Sequence, residues 1–227
     1  MNAWARALGD FRRSLVVRGT FIVMSAPAPE RLEAMHWTGG EGVYDMRTSL
    51  HYLRPTRDGR IAFGGSSFRV IRDRADSPRY GYDEASASVL ARDFRRWFPA
   101  FDGVPLEAAW GGPIDVAGLH TPFFGTLPGG TTHYGLGFTG NGVGPCHLGG
   151  KILSGLALGI QDDATTLPIS DGDRKNFPPE PLSMLGERVV SRAINRRDDR
   201  LDAGRLPGRV TDLLAHLPRR LGYMLGP

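Results

Sequence analysis

Cysteine is almost absent from this chain: Cys146 is the single one in 227 residues. That excludes an intrachain disulfide and a cysteine-rich metal cluster, and it fits a reducing, cytoplasmic setting. Lysine is nearly missing too. Lys151 and Lys175 are the only two, so the formal charge of +4 and the pI near 9.6 rest on arginine. The arginines are scattered rather than interleaved with aromatics, which argues against a nucleic-acid partner. The cluster Arg192, Arg196, Arg197 and Arg200 reads as a solvated helix face. No apolar run approaches the ~20 residues a transmembrane segment needs. Phe21 to Ala28 behind Arg12, Arg13 and Arg18 imitates a secretion signal, but its apolar core is too short and it reads as strand. Repeats of fixed period are missing. His133 and His147 have no partner at metal-ligand spacing, so they read as packed or surface histidines and no metal is expected.

What is abundant is glycine and proline, 31 and 17 residues, spread over a chain of ordinary apolar content. We expect an α+β fold with a mixed or antiparallel sheet drawn from Leu15 to Val116. Leu15-Val16-Val17 and Thr20 to Met24 look extended, and a short helix runs from Glu30 to Met35. Ser49 to Arg54 and Arg60 to Gly64 flank Asp58-Gly59, a pair in which both residues tolerate positive φ, and so form a hairpin. The period of two sets Tyr52 and Arg54 on one face and His51 and Leu53 on the other. Asp83 to Phe98 is a helix with Asp83 as N-cap, Leu90, Phe94 and Trp97 on its apolar side and Pro99 as its stop. Val104 to Ala109, Pro113 to Val116 and His133 to Phe138 look extended, and Pro145 to Ile160 is helical with Pro145 in its first turn. The linker Asn176 to Pro181 leads into a basic amphipathic helix, Leu182 to Arg197, with Leu185, Val189, Ala193 and Ile194 on one stripe. Leu206 to Leu225 is weakly helical and interrupted at Pro218.

The densest signal is Gly135-Leu136-Gly137-Phe138-Thr139-Gly140-Asn141-Gly142-Val143-Gly144. Gly135, Gly137 and Gly140 spell G-x-G-x-x-G, with Asp162 and Asp163 near the distance of a ribose-binding acid. A Rossmann turn, however, needs a buried apolar strand before the glycines. Gly129 to Tyr134 is too polar for one. Glycines before a helix still permit close approach to backbone N–H groups, which makes a site for an anion or an electron-rich oxygen. The alternative is that they only let the following helix pack tightly, with Gly149, Gly150, Gly155 and Gly159 as contact points.

Four stretches carry a resemblance: His51 to Gly65; Trp97-Phe98-Pro99; Trp110-Gly111-Gly112-Pro113-Ile114-Asp115; and Gly137 to Gly144 with Gly149 to Leu153. In order and spacing the chain from about Leu15 to Arg197 resembles the flavin-dependent oxidoreductases of the D-amino-acid oxidase type, particularly amine oxidases similar to gamma-glutamylputrescine oxidase. The resemblance implies three parts. Residues 11–118 would be a substrate-binding-like sheet domain, 119–162 the returning segment of an FAD-binding domain, and 163–227 a linker and helical extension. Gly140, Asn141, Gly142, Val143 and Gly144 would face the pyrimidine edge of the flavin, while Tyr52 and Arg54 would line the substrate side, Arg54 as a partner for a carboxylate. The resemblance further implies an amine or amino-acid derivative as the small-molecule substrate. Attachment of FAD would be non-covalent, since no cysteine lies between Trp110 and Thr121. Trp110 reads as core, Cys146 as a small buried side chain and Lys151 as solvated.

The family opens with a strand, a glycine turn and a helix for the ADP part of FAD, and no such unit precedes Leu15. The expectation is therefore an oxidoreductase that is a fragment or split subunit, with the nucleotide-binding half on a separate chain. A non-catalytic remnant serving as a binding or interaction module is the second expectation.

Overall fold

The computed structural model describes residues 1–66, 75–171 and 174–224. They cluster into a sheet unit, Gly19–Pro113 with Arg188–Ala215, and a loop unit, Met1–Arg18 and Ile114–Glu187 with His216–Leu225. The fold is α+β, as the residue patterns require.

The sheet begins with β1 (Leu15–Ser25), where burial alternates strictly along the strand and places Phe21, Val23 and Ser25 inward. The two extended segments expected here are one strand. Helix α1 (Pro29–Ala34) and the short β2 (Val43–Tyr44) follow, then the hairpin of β3 (His51–Pro55) and β4 (Ile61–Ser66). Its turn differs from the expected one. Gly59 has φ +86° but Asp58 does not have positive φ, and Thr56 N–H bonds Arg60 O while Gly59 N–H bonds Thr56 O. This is a three-residue loop closed by a glycine bulge, so the left-handed backbone falls on glycine alone.

After α2 (Pro78–Gly81) comes α3 (Glu84–Trp97), capped by Asp83, whose side chain accepts the Ser86 N–H at 2.9 Å. Its apolar stripe covers one face of the sheet. Phe63 from β4 meets the rings of Phe94, Trp97 and Phe98 at 5.8 to 6.3 Å, and Phe63, Phe94 and Phe101 are fully buried. Strand β5 (Leu106–Ala117) completes the order β2-β3-β4-β1-β5. It runs unbroken through Trp110-Gly111-Gly112, where a break was expected. Gly111 permits this, because a Cβ there would collide with the Phe21 ring on β1.

In the loop unit β6 (Phe123–Thr126) pairs antiparallel with β7 (His133–Leu136), Phe123 opposite Leu136 and Gly125 opposite Tyr134. Phe123 and Leu136 join Ala5, Phe11, Leu15 and Ala117 in a small core. Helix α4 (Pro145–Leu158) follows, ending at Gly159 with φ +67°. Helix α5 (Leu182–Asp202) is longer than expected, and only part of its expected stripe is covered: Ala193 and Ile194 are buried, Leu185 and Val189 exposed. Helix α6 (Arg209–Arg220) holds Pro218 inside its last turn rather than being broken there. Only one residue of that segment's expected span, Leu225, lies outside the described residues. Among the described residues, no helix is long and apolar enough to cross a membrane.

Candidate functional site

The candidate residues fall into two sets, one in each unit. In the sheet unit the alternation of β3 puts His51, Leu53 and Pro55 inward and leaves Tyr52 half-buried and Arg54 exposed on the opposite face. Tyr52 stands opposite Gly64 in the β3–β4 register, and its ring occupies the space a Gly64 Cβ would fill. The ring therefore lies across β4. Its hydroxyl reaches Thr20 Oγ1 on β1 at 2.7 Å, and burial pushes the phenol pKa up despite that hydrogen bond. Trp110 belongs to the same face, since Gly111 beside it points to Phe21 on the core side. At 40% exposure Trp110 is not the core residue expected. Its same-face neighbours in β5, Ala108 and Gly112, offer at most a methyl to cover the indole. The face thus carries a phenol, a guanidinium and an indole.

Below that face His51 is fully buried between two carboxylates. Its main-chain N–H donates to Asp45 Oδ1 at 2.9 Å, its Nδ1 lies 2.7 Å from Asp45 Oδ2, and its Nε2 lies 3.5 Å from Asp93 Oδ2. Burial alone would lower the imidazole pKa. The hydrogen bonds to Asp45 and Asp93 overcome that and hold it above its usual value. Sequence reasoning set His51 only on the face opposite Tyr52 and Arg54; its partners are 6 and 42 positions away, and the second cannot be read from local spacing.

In the loop unit the glycine run is a built turn. Gly137 and Gly140 have φ +78° and +80°, and Thr139 is held at +54°, a conformation disfavoured for a β-branched residue. Buried contacts compensate. The carboxylate of Asp115, itself buried, accepts the Gly137 N–H at 2.7 Å. Thr139 Oγ1 donates to Gly137 O at 3.0 Å and accepts the Ala117 N–H at 3.2 Å. Neither Asp115 nor Thr139 was picked out by sequence reasoning, although an acid inside Ile114-Asp115-Val116-Ala117 is the kind of signal that marks a buried acceptor.

Beyond Thr139 the chain turns toward α4. Asn141 N–H donates to Phe138 O, Cys146 N–H to Gly142 O and His147 N–H to Gly144 O, and Pro145 has no N–H to satisfy. The amides of Gly142, Val143 and Gly144 find no acceptor among the described residues. The side of the helix that follows is open. Val143 is 99% exposed, and a Cβ on Gly144 would meet nothing within 4 Å. Cys146 is exposed rather than buried as expected, like the rest of this first turn of α4. His147 is exposed, Lys151 is exposed as expected, and His133 is half-buried with its Nδ1 2.8 Å from Thr126 Oγ1. No group of three or more potential metal ligands occurs among the described residues.

The turn is not a Rossmann fingerprint. Gly135 sits in β7, which pairs antiparallel with β6, whereas a dinucleotide turn joins parallel strands. What the loop does offer is three consecutive amides, at Gly142, Val143 and Gly144, without an acceptor among the described residues and beside the exposed Val143 side chain.

The family model for DAO, FAD dependent oxidoreductase, matches residues 1–156. The chain is 35% identical over 121 residues to a probable oxidoreductase, OrdL, of Rhizobium meliloti, covering 53% of this chain and 26% of that protein. It is 29% identical over 117 residues to the gamma-glutamylputrescine oxidoreductase of Escherichia coli, covering 52% and 25%. The chain thus spans about a quarter of these relatives. Among solved structures, glycine oxidase from Geobacillus kaustophilus superposes with a TM-score of 0.57 at 20% identity, over 77% of this chain and 44% of that one.

Proposed function

The chain belongs to the DAO family of FAD dependent oxidoreductases, and from that premise we propose that it forms the substrate-facing and ring-facing part of an enzyme oxidising an amine or amino-acid derivative. The observation that carries this reading is the set of amides at Gly142, Val143 and Gly144, ahead of α4, that have no acceptor among the described residues. Gly140, Asn141, Gly142, Val143 and Gly144 would hold the pyrimidine edge of a non-covalently bound FAD. Flavin, when bound, supplies the acceptor for the substrate's hydride.

The residues of this chain do the rest. Amides fixed in advance favour negative charge where it develops, because they need no reorganisation at that moment. A hydrogen bond to a charged acceptor contributes about 1.5–3 kcal/mol. The helix end adds roughly 0.3–1 kcal/mol. Direct contacts from the loop therefore outweigh the dipole. Tyr52 would position the substrate through its hydroxyl, with Thr20 fixing the ring, and Arg54 would take a substrate carboxylate with its planar fork. Both choices are supported by the position of Tyr52 and Arg54 on the outer face of β3. The adenosine and pyrophosphate of FAD would be held by a nucleotide-binding half outside these 227 residues. One cysteine in the whole chain supports a cytoplasmic setting.

Reconstitution tests the reading. The chain is purified with and without the separately expressed amino-terminal half of the Rhizobium meliloti relative, FAD is added, and free cofactor is removed. A retained, shifted flavin band only in the mixture, bleached anaerobically by an amine, is the expected result. The absence of a retained band in both samples would sink it.

A further inference from the structure

Helix α6 lies beyond the residues matched by the family model, and its exposed face is apolar. At 3.6 residues per turn Val210, Leu213 and Leu217 fall on one stripe, and all three are exposed, Val210 by 70%. Leu206, before the helix, and Leu221 and Met224, after it, are exposed as well. The covered side of α6 is centred on Ala215 instead, a residue too small to explain why the helix carries so much leucine.

The fully exposed charge beside the stripe is positive, since the one acid there, Asp212, is half-buried and paired with Arg197 at 3.3 Å. Arg209 and Arg220 are both exposed and fall within a third of a turn of Leu213. Across residues 182–227 nine arginines stand against five acidic residues, while residues 1–181 balance at 19 of each, so this segment carries the whole excess of +4.

We propose that α6 docks on an anionic lipid surface, lying in the interface with Val210, Leu213 and Leu217 in the acyl boundary and Arg209 and Arg220 among the headgroups. A solvent-facing apolar stripe edged by arginine is the chemistry that such a surface selects. A second copy of this chain fits less well. Its α6 would bring the same arginines against these, and a stripe one side chain wide falls short of the ~800 Å² per partner that stable interfaces bury.

The test is sedimentation of the full chain with sucrose-loaded vesicles, either phosphatidylcholine alone or equal parts phosphatidylcholine and phosphatidylglycerol. Binding to the mixed vesicles only, weakened by added salt, is expected. Arg209→Gln and Arg220→Gln should each lower partitioning roughly fivefold. Leu213→Asp with Leu217→Asp should remove it at unchanged helical circular dichroism, since both positions face solvent. Equal binding to both vesicle types, or binding retained by the double aspartate variant, would overturn the proposal. So would an unbound wild-type chain that elutes as a dimer and becomes a monomer in that variant, which would assign the stripe to a second copy.

Discussion

The buried carboxylate of Asp115 accepts the main-chain N–H of Gly137 at 2.7 Å, and so the last strand of the sheet order holds the first left-handed residue of the glycine loop. The contact joins residues 22 positions apart and fixes the start of the segment that leads to the amides of Gly142, Val143 and Gly144. Asp115→Ala leaves the Gly137 N–H buried without its acceptor. The expected loss is about 2–3 kcal/mol of unfolding free energy, read from urea denaturation. Asp115→Asn keeps an acceptor oxygen and should lose less, roughly 1 kcal/mol. Equal losses for the two variants would show that packing rather than this hydrogen bond matters.

Tyr52 and Gly64 make a second pair whose sizes are matched. Because the Tyr52 ring fills the place of a Gly64 side chain, Gly64→Ala must displace the ring and break its hydroxyl contact with Thr20. Overpacking of this kind costs about 1–3 kcal/mol. Tyr52→Phe removes only the hydroxyl and should cost about 0.5–1.5 kcal/mol. Thermal unfolding of both variants measures the order. A Gly64→Ala protein as stable as Tyr52→Phe would mean that the ring can move without penalty.

The elements most legible in the sequence are those set by neighbours. Asp83 and Pro99 bound α3, Pro145 opens α4, and alternation alone places Tyr52 and Arg54 on one face of β3. What was not legible depends on residues far apart. Strand β6 is four residues long and exists through its pairing with β7. The continuity of β5 through two glycines rests on the Phe21 ring of another strand. Exposure of Cys146 and Trp110 has the same origin, since cysteine and tryptophan are usually buried and only the tertiary arrangement says what covers them. The glycine run announced a loop for close approach, but the acid that holds it, Asp115, comes from a different strand.

His51, fully buried between Asp45 and Asp93, gives the sheet unit a pH dependence with a definite sign. Burial opposes the imidazolium, and the two carboxylates more than offset it, so the folded pKa lies above the ordinary value of 6.5. Asp93 is shifted the other way: burial would raise it, yet the His51 contact holds it below its usual value. Raised folded pKa on a histidine means that the stabilisation is fully present below about pH 6.5 and fades as the pH rises through the folded value. The Asp93 share behaves oppositely, being present above the ordinary carboxylate range and lost as the pH falls through its depressed value. His51→Gln isolates the effect, because it removes the titrating ring while keeping a polar side chain of similar reach. The advantage of the wild-type protein should be largest from about pH 4.5 to 6.5, up to ~3 kcal/mol, and should shrink on either side. Denaturant unfolding of both proteins at several pH values gives the difference directly. An advantage that grows above neutrality would mean that His51 is held neutral and that the two carboxylates do not charge it.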